Sequence, residues 1–221
     1  MKKIVLITGA NSGIGFALTQ KLLSENYFVI GTSRNGKIDI TSENLLVVTL
    51  DVTDEKSIKE ANLKIRNQFK NIDILINNAG IAPDLDKLLP DAETFKATFE
   101  TNVFGLVNFT ESIVEMISND GKIFNISSIM GTLNRIVRQD STAYRMSKSA
   151  VNMYTKTLST RLSDKNIVVN SIHPGWVITK LSTEGAPLTP EFSANGIFQL
   201  LEKELPTGTF WNAETQEEMV W

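Results

Sequence analysis

The 221-residue chain has no cysteine and a single histidine, His173. Without thiols there is no disulfide, no cysteine nucleophile and no thiolate metal site, and such a chain fits a reducing compartment. One histidine cannot build a histidine-rich metal cluster, so no metal is expected. A Ser-His-Asp hydrolase would have to run through His173 itself. A dominant charge is missing too. The 22 Lys and Arg nearly balance 25 Asp and Glu, for a net charge of −3 with no long basic run. Nucleic acid and anionic membrane are therefore not expected partners. No segment reaches the ~18 apolar residues of a membrane helix. Two lysines before the first apolar run imitate a signal peptide. That run stops at Thr8-Gly9 with no small-residue cleavage site beyond it, so it reads as a buried strand. The expected location is the cytoplasm.

What is present is ordinary for one globular core: 42% apolar and 21% charged residues. Short Ile- and Val-rich runs at 4–8, 28–32, 46–51, 72–77, 122–127 and 167–173 are nearly continuous, as strands covered on both faces are. Amphipathic stretches at 13–24, 56–69, 92–117 and 142–163 separate them, with a further helix near 192–201 and a last strand near 209–211. Strands alternating with helices predict an α/β Rossmann fold. It is a single domain, residues 1–221, holding one doubly wound parallel sheet with helices on both faces. Residues 181–190, with Pro187 and Pro190, read as a loop. In this topology ligands bind at the carboxyl ends of the strands.

The first strand runs into TGANSGIG, Thr8 to Gly15. Gly9 permits a sharp turn, Gly13 lets backbone approach a ligand, and Gly15 lets the helix pack on the sheet. The helix start, with Asn11, Ser12 and Ile14, then offers N–H groups and a partial positive charge to a pyrophosphate. After the second strand comes GTSRN. Ser33 stands roughly where an NAD-binding protein carries an acid for the ribose, and Arg34 follows. A hydroxyl and a guanidinium accept a 2′-phosphate that a carboxylate would repel. NADP(H) is expected, with NAD(H) the second choice.

Further along stand DVT at Asp51, NNAG at Asn77, Asn102 in TNVFG, NISS at Asn125, YRMSK at Tyr144 and HPGWVIT at His173. With the glycine turn they make seven segments, and the chain resembles the short-chain dehydrogenase/reductase family over nearly its whole length. Within it, YRMSKSAVNM, HPGWVIT and the late GTFW are most similar to the C-factor and sniffer-type carbonyl reductases. The resemblance implies a catalytic group of Asn102, Ser128, Tyr144 and Lys148. It places Asp51 and Val52 at the adenine, and Asn78, Ala79 and Gly80 along the adenosine side. The nicotinamide end falls to Pro174, Gly175, Val177 and Thr179, with Tyr144 and Lys148 also at the cofactor. Ser128 is chosen over Ser127 by the family pattern alone. Ser128 lies 16 residues before Tyr144, where about 13 is common, so the loop within 130–140 is expected to bulge. The segment after Thr179 reads as reduced, leaving an open pocket.

The chemistry follows from these residue types. A carbonyl becoming an alcohol needs a hydride and a proton. A free tyrosine, with a pKa of ~10, is hardly ever ionised near neutral pH. Lys148, four residues on along a helix, is expected to lower the Tyr144 pKa, helped by an oxidised nicotinamide ring. Ser128 would donate to the carbonyl oxygen, and Asn102 would position a relay water beside Lys148. The expected protein is an NADP(H)-dependent oxidoreductase that reduces a ketone or aldehyde, or oxidises the alcohol, by hydride transfer. The alternative is a C-factor-like, cofactor-binding signalling or regulatory protein with little turnover. An extended nucleotide-sugar epimerase is disfavoured, because about 40 residues follow Thr179. The resemblance implies a homo-oligomer, dimer or tetramer, through the long helices. His173 reads as a turn residue bonded to backbone. Trp176, Trp211, Trp221, Met146 and Met153 read as packing or pocket-lining side chains.

Overall fold

Runs of β-branched and leucine residues form strands that are buried on both sides. The computed structural model describes residues 2–89, 91–134, 138–182 and 184–221. In chain order the strands are β1 (Ile4–Ile7), β2 (Phe28–Ser33), β3 (Leu45–Thr49), β4 (Ile72–Asn77), β5 (Ile117–Ile126), β6 (Val168–His173), β7 (Phe210–Asn212) and β8 (Glu218–Met219). They form one sheet in the order β3-β2-β1-β4-β5-β6-β7-β8. The helices are α1 (Gly13–Ser24), α2 (Glu55–Arg66), α3 (Ala92–Phe99), α4 (Leu106–Ile113), α5 (Thr142–Arg161) and α6 (Pro190–Glu202).

Alternation along β1 divides the core. Val5 and Ile7 pack with Leu18, Leu22, Ile197 and Leu200 of α1 and α6. Leu6 points the other way, into a cluster with Ile58, Ile65, Phe109, Ile113 and Leu158 of α2, α4 and α5. Successive strand residues face opposite sides, so one short strand nucleates both layers. Phe109 and Phe124 are fully buried, one in each layer, and truncating either to alanine costs about 3–5 kcal/mol. No helix among the described residues is long and apolar enough to cross a membrane.

The doubly wound sheet and α1 follow the sequence expectation, and three features do not. First, the sheet is not wholly parallel: β8 pairs antiparallel with β7, Trp211 opposite Glu218. Second, the helix expected over 92–117 is broken. A π-helical turn, Glu100–Gly105, separates α3 from α4, a 3₁₀ turn follows at Val114–Met116, and β5 has begun by Ile117. The wide turn brings Gly105 against Val52 so closely that a Cβ there would lie 2.8 Å from Val52 Cγ2. Third, Pro190 starts α6 rather than ending a loop. Its missing N–H costs nothing in a first turn, and the Thr189 hydroxyl accepts from the Phe192 N–H at 3.2 Å. Of the loop expected to bulge, residues 135–137 lie outside the described residues, as do residue 90 and residue 183 of the 181–190 loop.

Candidate active site

The strand order reverses between β1 and β4, where the chain crosses from one side of the sheet to the other. A cleft of about 1190 Å³ opens there, at the carboxyl ends of the strands.

Its first wall is the glycine turn. Gly9 (φ +69) and Gly13 (φ +54) both have the left-handed backbone that glycine adopts freely. A Cβ on Gly13 would reach 3.3 Å from Thr179 Cγ2, on the opposite side of the cleft. Gly15 does not line the cleft. Its missing side chain leaves room for the Gly9 carbonyl and the Asn78 amide, which a Cβ would approach to 2.3 and 2.5 Å. It is a packing glycine that lets α1 sit against the turn. The Ser12 side chain makes no cap bond at the start of α1, so its first N–H groups remain available to an anion. The turn is clamped from β4. The Thr8 hydroxyl accepts from the N–H groups of Asn78 (2.9 Å) and Ala79 (3.0 Å), and Asn78 Nδ2 donates to the carbonyls of Thr8 (2.9 Å) and Gly9 (3.1 Å). A backbone cradle of this kind suits a pyrophosphate.

Further along, Arg34, Asp51 and Val52 line the cleft. Arg34 is exposed. Ser33 also borders the cleft, but its buried hydroxyl is already committed. It accepts from the Lys37 N–H (2.9 Å) and lies 2.9 Å from the Lys37 carbonyl and 3.1 Å from Asn35 Oδ1. Its expected role as a direct phosphate ligand gives way to shaping the turn that presents Arg34 and Asn35. Asp51 likewise holds its own turn, accepting from the Thr53 N–H (3.0 Å) and hydroxyl (2.7 Å).

At the other end, α5 brings Tyr144 and Lys148 to one face. The Lys148 ammonium lies 5.6 Å from the Tyr144 ring centroid and donates to the Ile126 carbonyl at 2.8 Å. Burial pushes the Lys148 pKa down to about 8. Tyr144 moves opposite to the direction expected from the Tyr-Lys spacing. Part of its ring faces the cleft, yet burial pushes the phenol up to about 12. The nearby Ser128 hydroxyl pulls it down and the Asp84 carboxylate pushes it up further. Loss of water around the phenol is the largest of these effects.

The two adjacent serines, just past the end of β5, both border the cleft but make different bonds. The Ser127 hydroxyl donates to Asn152 Oδ1 at 2.6 Å, beneath α5. Ser128 turns toward Tyr144, and its oxygen accepts from the Met130 N–H at 3.1 Å. Asn102 is buried in the π-helical turn and does not line the cleft. Its carboxamide forms a pair with Ile81, accepting from the N–H and donating to the carbonyl, both at 2.8 Å, and reaches Ser147 Oγ at 3.1 Å. A Cβ on Gly80 would lie 3.2 Å from Asn102 Oδ1 and 3.7 Å from Lys148 Nζ, so the glycine keeps space between them. Nδ1 of His173 accepts from the Ile129 N–H at 3.3 Å, and burial lowers its pKa to about 4. It is a neutral turn residue rather than a base at neutral pH.

Pro174, Gly175, Val177 and Thr179 line the same end of the cleft. The Pro174 carbonyl accepts from the Ser193 hydroxyl (2.7 Å), Gly175 adopts φ +88, and Val177 bridges to Leu188. Trp176, Ile178 and Leu181 stand half exposed at the rim. Sequence reasoning missed the charged group opposite them. Arg138 pairs with Asp86 and with Asp140 (2.6 Å), and Arg145 with Asp140 (3.2 Å). It also missed Asp84, which is fully buried behind Tyr144. No local pattern marks Asp84 or the Asp86–Arg138 pair, because their partners lie 52 to 60 positions away in the chain, whereas Asp140 pairs with Arg138 and Arg145 close by.

Comparison with known proteins agrees with this geometry. The short chain dehydrogenase family model matches residues 3–187. A short-chain dehydrogenase of Penicillium roqueforti, anuI, is 31% identical over 232 aligned positions, covering 95% of this chain and 92% of that protein. Among solved structures, the NADPH-bound carbonyl reductase from chicken fatty liver superposes with a TM-score of 0.90 at 29% identity, covering 100% of this chain and 94% of that one. The carbonyl reductase Sniffer of D. melanogaster gives 0.89 at 26% identity, with 100% of both chains covered.

Proposed function

The chain belongs to the short-chain dehydrogenase family of NAD(P)-dependent oxidoreductases, and on that premise we propose that it reduces a ketone or aldehyde to the alcohol, with NADP(H) preferred over NAD(H). One arrangement carries the reading: the Tyr144 phenol, the Lys148 ammonium and the Ser128 hydroxyl meet in a cleft whose far wall is the glycine turn.

The bound nicotinamide supplies the hydride, or receives it when the alcohol is oxidised. This chain's residues hold the cofactor and handle the proton. Gly9, Asn11, Ser12, Gly13 and Ile14 offer backbone to the pyrophosphate, with Gly15 allowing α1 to approach. Arg34 at the rim provides the cation that a 2′-phosphate requires. The chicken carbonyl reductase, described as NADPH bound, supports the same preference. Asp51, Val52, Asn78, Ala79 and Gly80 border the adenosine side, and Pro174, Gly175, Val177 and Thr179 the nicotinamide end.

A phenol held at about 12 is protonated at neutral pH and ready to donate as the substrate oxygen becomes an alkoxide. Lys148 then steadies the phenolate that remains. The Ser128 hydroxyl donates to the same substrate oxygen, and that bond strengthens as charge develops. Asn102 frames the space beside Gly80 and Lys148 in which a water returns the proton from solvent.

The test is a panel of small ketones, quinones and aldehydes assayed with NADPH and NADH, on wild type and Tyr144→Phe. At least one carbonyl should consume NADPH, and the variant should lose on the order of 10³-fold in kcat. Undiminished turnover in Tyr144→Phe ends this mechanism. Tight NADPH binding without turnover of any substrate returns the protein to a cofactor-binding regulatory role.

A further inference from the structure

α5 begins without a side-chain cap from its own N-terminal residue. Ser141 occupies the N-cap position in a left-handed conformation (φ +60, ψ +38), and its side chain makes no cap bond. A non-glycine residue in that conformation is strained, and the first N–H groups of the helix need acceptors. The acceptor comes from the loop after β4. Asp84 is fully buried, and its Oδ2 accepts from the Ala143 N–H at 2.7 Å, with the Tyr144 N–H at 3.3 Å from the same oxygen. Three more contacts fasten that loop to the helix start. The Ser141 N–H donates to the Lys87 carbonyl (3.0 Å), the Asp86 N–H to Ser141 Oγ (3.3 Å), and Arg138 pairs with Asp86.

We propose that Asp84 is a positioning residue for Tyr144: its buried carboxylate caps α5 from 59 residues away and so fixes the phenol relative to Ser128 and Lys148. A carboxylate suits the positive end of a helix dipole, and here it also touches the backbone of the tyrosine itself. The charge has a second effect. It raises the phenol's pKa and keeps the proton on Tyr144. The charged groups lining the cleft are Lys148 and Arg145 on α5, Asp86 from the loop after β4, Arg138 and Asp140 from the loop before α5, Arg34 after β2, Asp51 after β3 and Lys180 after β6, while His173 at the end of β6 is neutral. The inference rests on Tyr144 as the proton-transferring group.

Asp84→Asn and Asp84→Ala test it, and two readouts need neither cofactor nor turnover. By amide hydrogen exchange, Asp84→Ala should lose about five- to tenfold protection at Ala143 and Tyr144 while β1 and β4 keep theirs; Asp84→Asn, which retains a carbonyl acceptor, should lose far less. Tyrosine absorbance after a rapid alkaline pH jump reads the phenol. Tyr27 and Tyr154, beside Glu202 and Glu111, are pushed above Tyr144, so the first of the three phenols to ionise is Tyr144, and Tyr144→Phe assigns the step. In Asp84→Asn that step should fall by on the order of half a unit. Where a substrate is in hand, Asp84→Ala should lower kcat with little change in KM, and Asp84→Asn should recover most of it. Unchanged exchange at Ala143 and Tyr144 in Asp84→Ala overturns the capping role. A phenol step unmoved in Asp84→Asn overturns the electrostatic one. Both readouts are decisive whether or not the substrate panel succeeds.

Discussion

Lys148 must be charged to steady a phenolate, yet it is buried where charge is costly, and its pKa falls from the ordinary 10.5 to about 8. The sign is fixed by that depression. The ammonium is present below about 8 and lost above it, so carbonyl reduction should decline as pH rises through 8. Lys148→Arg keeps its charge throughout this range and should show a flat profile from pH 6 to 10, at whatever level its different shape permits; kcat/KM against pH is the measurement. The same burial makes folding favour the neutral amine. The penalty on stability therefore applies below about 8 and lifts between about 8 and 10.5. The residues of the site were legible in sequence where their chemistry is local, as in the Tyr144-Lys148 spacing and the glycine turn. They were not legible where the partner is distant. Ser33 looked like a ligand because nothing in GTSRN reveals that its hydroxyl bonds to Lys37. Asp84 carries no local mark of its role, because Ala143 and Tyr144 lie 59 and 60 positions on.

At the scale of the element, the junction between β1 and α1 depends on an atom that is missing. A Cβ on Gly15 would sit 2.3 Å from the Gly9 carbonyl oxygen and 2.5 Å from Asn78 Nδ2, against backbone and a clamped amide that cannot swing aside. Gly15→Ala should therefore lose about 1–3 kcal/mol despite its better helix propensity, read by urea denaturation. A gain in stability would mean that the junction is looser than these contacts require. Boundaries followed the same divide between near and far. α1 was predicted to its ends because a glycine turn starts it and its apolar stripe is continuous. The break between α3 and α4 was hidden, since ETNVFGL reads as uninterrupted helix. The bonds from Asn102 to Ile81 and the packing of Gly105 on Val52 accompany that break, and neither is written in the local sequence. β8 spans two residues, too few for any alternation to register.

For the whole molecule, the two-layer plan leaves apolar side chains on the outer faces of the long helical segments. Phe104 is 54% exposed, Met146 48% and Met153 67%. Isolated exposed apolar groups are ordinary, and on these segments they are where self-association through the long helices would be tested. Light scattering should give at least twice the monomer mass of 24.5 kDa, and Met153→Glu should shift the population toward monomer. A monomer at tens of micromolar would remove the proposal.

His173 carries a broader consequence. It is the only imidazole in the chain, there is no thiol, and burial keeps its ring uncharged down to about pH 4. The side-chain group that proteins most often use to sense mild acidification is silenced here. Acidification from neutral toward pH 5.5 leaves this imidazole uncharged, and the cleft's response to protons lies on the alkaline side, where the ammonium of α5 lets go.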